Sequence, residues 1–292
     1  MQLPYFYRFS CLLLLLLTSS CSQKPDINQF VLLPDEIRET SALLCLDNGH
    51  FLTLNDSGNS SELFEIDPQG RILQRTSLAV SNTDWEAMTQ SQHQIWIGDI
   101  GNNSGSRKQT WLWQLQKPWQ QPQVPRQIML QRPDYPTPPP APYQHDLDAE
   151  ALAYANDSVW LFSKSWLSGS TQVFQWAAGQ PLRKTAAIAG LTGLVTDAAF
   201  SEAEQLFVLV GYADMRKNPL QFMFSNNYQP FLALVDTDFN LVKQIPLQST
   251  GQVEAVCVDK QQQVWLTQEE SKAQPAQLWR LGTVQSLRAA SQ

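Results

Sequence analysis

The chain has 292 residues with 20 Lys and Arg against 27 Asp and Glu, a formal charge of −7. Phosphate binding needs a basic footprint, and no segment here is rich in Lys or Arg, so nucleic acid is not an expected partner. Ten Trp and thirteen Phe within a 43% hydrophobic composition favour a folded domain built mainly of strands.

Residues 1–20 read as an export signal. Arg8 precedes an apolar run from Cys11 to Leu17, shorter than the roughly twenty residues that span a bilayer. Thr18-Ser19-Ser20-Cys21 resembles the lipobox of bacterial lipoproteins, with Thr18 where Leu is commonest, and the resemblance implies lipidation at Cys21. Ser22 and Gln23, with no Asp after the cysteine, resemble the outer-membrane sorting pattern. The expectation is a protein anchored by lipid to the cell outer membrane, in the periplasm or at the surface, with residues 21–26 as linker. Of the other cysteines, Cys11 lies in the leader, and Cys45 and Cys257 either pair in that oxidising compartment or stay as buried thiols. No Cys-x-x-Cys or Cys/His spacing supports zinc.

An acidic pattern then recurs along the chain. Its copies are Glu39-Thr40-Ser41-Ala42-Leu43, Asp84-Trp85-Glu86-Ala87-Met88, Asp148-Ala149-Glu150-Ala151-Leu152, Val195-Thr196-Asp197-Ala198-Ala199 and Gln252-Val253-Glu254-Ala255-Val256. Each is followed by an apolar run with an aromatic (Phe51, Trp96, Trp160, Phe207, Trp265), a polar loop and a third strand. Fourth strands are expected at 71–77, 126–131, 183–188 and 240–246, several after turn signals such as Asp67-Pro68-Gln69-Gly70. Four antiparallel strands per repeat predict an all-β fold, a five-bladed β-propeller with six blades as the alternative. The last repeat lacks a fourth strand, and residues 28–33 are placed to supply it, closing the ring between the termini. The domain is expected over 27–285, with 286–292 as a tail.

In a propeller the first strand of each blade is innermost, and its start lies on the same face as the long connections at 136–142 and 212–229. Alternate strand residues share a side. Glu86, Glu150, Asp197 and Glu254, with Ser41, are therefore expected around the channel mouth. Asp56, Asp99, Lys164, Tyr212 and Glu269 at second-strand ends, and Asp84 and Asp148 beside the glutamates, complete the rim. Converging carboxylates disfavour one another's charge, so a compensating cation is expected. Ca²⁺, which takes six to eight oxygens, fits through Glu86, Asp99, Glu150, Asp197 and Glu254. The competing reading is structural: carboxylates capping backbone N–H groups, with Lys164 and Arg107 neutralising part of the ring. Trp85 and Trp166, near the rim, are open to a ligand role, whereas Trp96, Trp160 and Trp265 read as packing between blades.

Glu-x-Ser-Ala-Leu, Asn55-Asp56-Ser57-Gly58-Asn59, Asp-Trp-Glu-Ala, Gly98-Asp99-Ile100-Gly101-Asn102-Asn103 and Asp-Ala-Glu-Ala resemble a group of uncharacterised secreted bacterial propellers. More distantly they resemble the SdiA-regulated and phytase-like esterase families. The resemblance implies a propeller with a calcium site at its mouth, although Ala42 and Asn102 depart from the commoner pattern. Three functions follow as expectations. One is a binding module for Ca²⁺ or a small cationic ligand. Another is a metal-dependent esterase, lactonase or phosphoesterase with Glu86 or Glu150 activating water and His145 assisting. The last is a purely structural envelope protein.

Overall fold

Residues 29–121, 123–213, 228–249, 251–272 and 274–290 are described in a computed structural model. The leader, Cys21 and most of the 212–229 connection lie outside them. Blade one is β2 (Thr40–Cys45), β3 (Phe51–Asn55), β4 (Glu62–Ile66) and β5 (Ile72–Ser77). Blade two is β6 (Trp85–Gln90), β7 (Gln94–Asp99), β8 (Gln109–Gln116) and β9 (Arg126–Gln131). Blade three is β10 (Ala149–Ala155), β11 (Ser158–Ser163), β12 (Gln172–Trp176) and β13 (Arg183–Ala187). Blade four is β14 (Leu194–Ser201), β15 (Leu206–Tyr212), β16 (Pro230–Asp236) and β17 (Leu241–Pro246). Blade five is β18 (Val253–Val258), β19 (Gln263–Gln268) and β20 (Gln277–Thr283), completed by β1 (Gln29–Leu32) from the other end of the chain.

All five sheets are four-stranded and antiparallel, and the chain is a five-bladed β-propeller. Burial falls from the axis outward: every residue of β2 is buried, whereas β5 and β13 contain no buried residue. Strands covered on both faces need apolar runs, and outer ones tolerate alternation. The turn before β5 requires glycine, because Gly70 has φ +77 and a Cβ there would lie 2.8 Å from the carbonyl oxygen of Leu32 on β1.

The hydrophobic core is distributed over the five contacts between neighbouring blades. One cluster joins blades three and four through Phe162, Val173, Phe207 and Phe231, and another joins one and two through Leu52, Leu63, Trp85 and Ile97. The second-strand aromatics serve these contacts. Trp96 stacks on Tyr154 at 5.1 Å, Trp160 meets Phe207 edge-on at 6.1 Å, and Phe51 meets Trp265 at 4.8 Å. Trp85 is fully buried and donates to the Ser81 carbonyl at 3.2 Å, so it is core. Residues 286–289 of the expected tail belong instead to a helix, α1 (Val284–Ala289), which buries Val284 and Leu287 against blade five. Thr283 caps its start, and Lys243 donates to the carbonyls of Leu287 and Arg288 at its end.

Closure is double. β1 pairs along β20, with Gln29 opposite Arg280 and Leu32 opposite Gln277. A disulfide joins Cys45 on β2 to Cys257 on β18, 212 residues apart. It sits beside the Phe51–Trp265 contact, because Cys45 pairs with Phe51 and Cys257 with Trp265 in their sheets. A cross-link closing so long a loop removes much unfolded-chain freedom and is typically worth about 2–4 kcal/mol. Replacing Cys45 and Cys257 together by Ser is therefore expected to lower the melting temperature on the order of 10 °C without changing the circular dichroism of the folded state. An unchanged melting temperature would show that the β1 strand alone secures the ring.

Candidate functional site

Each innermost strand carries a bulge at the same rung, where one residue has no partner across the ladder. The unpaired residues are Ser41, Glu86, Glu150, Thr196 and Glu254. A bulge re-aims the side chain it carries, and here all five stand where the strands begin, at one end of the channel. In blades one and four the bulge residue carries a hydroxyl bonded to the next blade: Ser41 donates to the Trp85 carbonyl at 3.1 Å and Thr196 to that of Val253 at 2.8 Å. The other three carry carboxylates.

Asp197 stands one residue past this ring, at the position that Ala42, Ala87, Ala151 and Ala255 fill in the other blades. Aligning the repeats on their alanines put it with the glutamates, but the blade-four bulge lies at Thr196. Its carboxylate is fully buried and accepts from the backbone N–H of Val256 at 2.9 Å. Burial raises its pKa, and the Val256 bond ties the innermost strands of blades four and five together.

The rest of the acidic set divides by partner. Asp99 is 1% exposed and bound by Arg107 at 2.5 Å, and Arg107 also donates to the Gly101 carbonyl at 2.6 Å. Asp148 accepts from the Asn102 backbone at 2.6 Å and the Trp166 indole at 2.7 Å. Glu150 is in contact with the Lys164 ammonium, which also lies 5.2 Å from the centres of the Trp166 and Tyr212 rings. Burial alone would lower Lys164, but Glu150 and the carboxylates behind it hold it well above the usual lysine range and keep it charged. Glu254 takes a bond from Gln252, and burial, partly opposed by Lys164, pushes it up to about 7. Glu269 is raised by burial, then by Glu254 and Asp56. His145 is 4% exposed. Its Nδ1 accepts from the Leu147 backbone and its Nε2 donates to the Asn103 carbonyl, both at 3.2 Å, which commits both nitrogens to the loop.

Asp56, Asp84 and Glu86 are what remains. They are half-buried, and one carboxylate oxygen from each lies within 4.8 Å of the other two. Asp84 has a distant contact with Arg107 at 3.8 Å, and Asp56 accepts from the Ser57 backbone. The Glu86 carboxylate has no hydrogen-bond donor or ion-pair partner among the described residues. Burial and the charges of Asp56 and Asp148 push Asp84 up to about 6. Glu86 is driven well above the usual carboxylate range by burial and by Asp56, Glu150 and Asp84. Gly101 makes room for the group, since a Cβ there would lie 2.3 Å from Glu86 Oε1 and 2.5 Å from Asp84 Oδ2. The motif Gly-Asp-Ile-Gly shows this glycine in the sequence, but not that it faces the acids.

The channel's other end opens as a cavity of about 400 Å³. Its rim carries both charges, with Lys260 paired to Asp47 at 3.1 Å. Asp47, Glu202 and Asp259 there face Lys117 and Lys260, so this end is nearly balanced where the end with the bulges is strongly acidic.

No protein-family model and no curated sequence matches the chain, and the comparisons give no support to the resemblance to SdiA-regulated proteins. Among solved structures, the PQQ-bound aldose sugar dehydrogenase of Streptomyces coelicolor aligns with a TM-score of 0.53 at 10% identity, over 89% of this chain and 98% of that one. A gluconolactonase from Xanthomonas campestris aligns at 0.45 and 13%, over 83% and 72%. The first of these likenesses agrees with the propeller architecture, and at such an identity it carries the fold and not the activity.

A raised folded-state pKa in a carboxyl group means stability that is full at low pH and lost as pH rises through the folded value. With Asp84 at about 6 and Glu254 at about 7, the protein in chelator is expected to melt at a lower temperature at pH 7.5 than at pH 5. Replacing Asp84 by Asn should flatten that difference, and an unchanged profile would remove Asp84 from its cause. The chain is an all-β, five-bladed propeller with an acidic mouth, similar in fold to the aldose sugar dehydrogenase propeller.

Proposed function

We propose that the acidic mouth binds a hard divalent cation of the Ca²⁺ type through Asp56, Asp84 and Glu86 and, through it, a small oxygen-bearing ligand. The observation that carries this reading is the Glu86 carboxylate, beside two others and without a donor among the described residues, over a glycine whose Cβ would fill the space. A charge set of this kind calls for a counter-cation, and oxygen-only donors match Ca²⁺. The members expected in the same metal set divide otherwise: Asp99, Glu150 and Asp197 have partners within the protein, and Glu254 lies on the Lys164 side.

Calcium at a hundred times its dissociation constant is expected to stabilise the fold by about 2.7 kcal/mol, a rise of about 5–10 °C in melting temperature. Glu86→Gln and Gly101→Ala should remove the rise. Glu150→Gln should keep it while lowering the starting stability by about 3 kcal/mol, because Lys164 loses its counter-charge. Absence of a rise in the unaltered chain would refute the cation site.

A hydrolytic reading is favoured by the crowding of Asp56, Asp84 and Glu86, which offers carboxylates both to hold a cation and to accept a proton from water. A cation held there supplies polarisation of a carbonyl or phosphoryl oxygen. The same calcium-loaded chain, offered ester, lactone and phosphoester substrates, distinguishes the readings: calcium-dependent turnover supports hydrolysis, and binding without turnover supports the module.

The site is presented to the envelope space by a lipid on Cys21. The small residues before Cys21 in the sequence support this, and among the described residues no helix is long and apolar enough to cross a membrane. Cys21→Ser is expected to shift the protein from the membrane pellet to the soluble fraction, and retention in the pellet would exclude the anchor.

A further inference from the structure

Beside the mouth, the connection from β9 to β10 carries Tyr143, and that from β11 to β12 carries Trp166 and Leu167. Leu167 is 66% exposed and Tyr143 38% exposed. Tyr143 meets Trp166 edge-on at 5.0 Å, and the far side of this apolar surface reaches Lys164, 5.2 Å from the Trp166 ring. The indole N–H on Asp148 at 2.7 Å fixes the ring against the acidic rim.

The surface is held in place by polar bonds. Tyr143 has a left-handed backbone with φ 58, a conformation that bulky residues seldom adopt and that concentrates at ligand sites. Its N–H donates to the Asn103 carbonyl at 2.9 Å. Nearby, His145 donates to the same carbonyl, and the Tyr135 hydroxyl donates to the Gly105 carbonyl at 3.1 Å. The Leu167 and Ser168 backbones donate to Asp146 Oδ1 at 2.9 and 3.1 Å, tying the two connections together. Exposed apolar side chains are thus fixed in a strained, cross-braced setting next to a strongly polar mouth.

We propose that this shelf receives the apolar chain of an amphiphile whose oxyanion head lies in the mouth. The placement of the head rests on the cation reading above, and the placement of the chain does not. A methylene covered on one side gains about half of a full burial, so affinity should rise about twofold for each one added.

The test uses the full chain carrying Cys21→Ser, titrated calorimetrically with butanoate, hexanoate and octanoate in calcium, and with the matching alkylamines in chelator, where the ammonium can pair with the acids directly. The expected result is a rise of about twofold per methylene in both series. It should disappear in the double variant Tyr143→Asn, Leu167→Ser, whose calcium affinity and folded-state circular dichroism stay unchanged; Asn tolerates the left-handed backbone. Series that are flat in the unaltered surface, or a slope that survives in the double variant, overturn the shelf. Loss of calcium binding with the alkylamine slope intact refutes the cation reading and leaves the shelf standing.

Discussion

Five strands converging on one axis must bring their ends close together, and in this propeller each strand holds an unpaired residue at the rung where they meet. The repeated bulge is therefore the constraint on which the mouth depends, because it turns one side chain per blade to the same end of the channel. Where that side chain is a hydroxyl, as at Ser41 and Thr196, it bonds the neighbouring blade. Where it is a carboxylate, as at Glu86, Glu150 and Glu254, convergence becomes an electrostatic problem, since like charges close together in a partly dry space raise one another's pKa.

The protein compensates in three chemically distinct ways. Arg107 and Lys164 supply full charges to Asp99 and Glu150. Backbone and indole N–H groups serve Asp148 and Asp197. Among the described residues, Asp56, Asp84 and Glu86 receive only a backbone bond at Asp56 and a distant guanidinium at Asp84. The mouth thus has a pole neutralised from within and a pole open to a charge from outside, and its chemistry depends on that asymmetry more than on its total acidity.

Stability and chemistry occupy separate ends of the channel. The Cys45–Cys257 bond and the Phe51–Trp265 contact join the first and last blades, and Cys45 lines the cavity at the end away from the bulges. With the ring fastened there and along β1, the mouth can hold mutually repelling groups without opening the blade contacts. The distributed core supports the same division, because each interface between blades is buried independently of the charged rim.

Much of this architecture was legible along the chain. The repeat of acidic motif, aromatic strand and turn identified the blades. The missing fourth strand of the last repeat, set beside the apolar stretch before the first, identified the closure, because strand periodicity and turn chemistry are local properties. The same local reasoning misplaced Asp197, since a bulge shifts register by one residue without altering composition. It also left Trp85 open to a ligand role when that side chain is core, and left open whether Cys45 and Cys257 pair. By itself the sequence determined the strand pattern and the acidic motif that each innermost strand carries toward the mouth. Which carboxylate meets a cation, which meets a backbone N–H and which is left with neither was decided only by the tertiary structure, because those partners come from different blades and their distances exist only once the ring has closed.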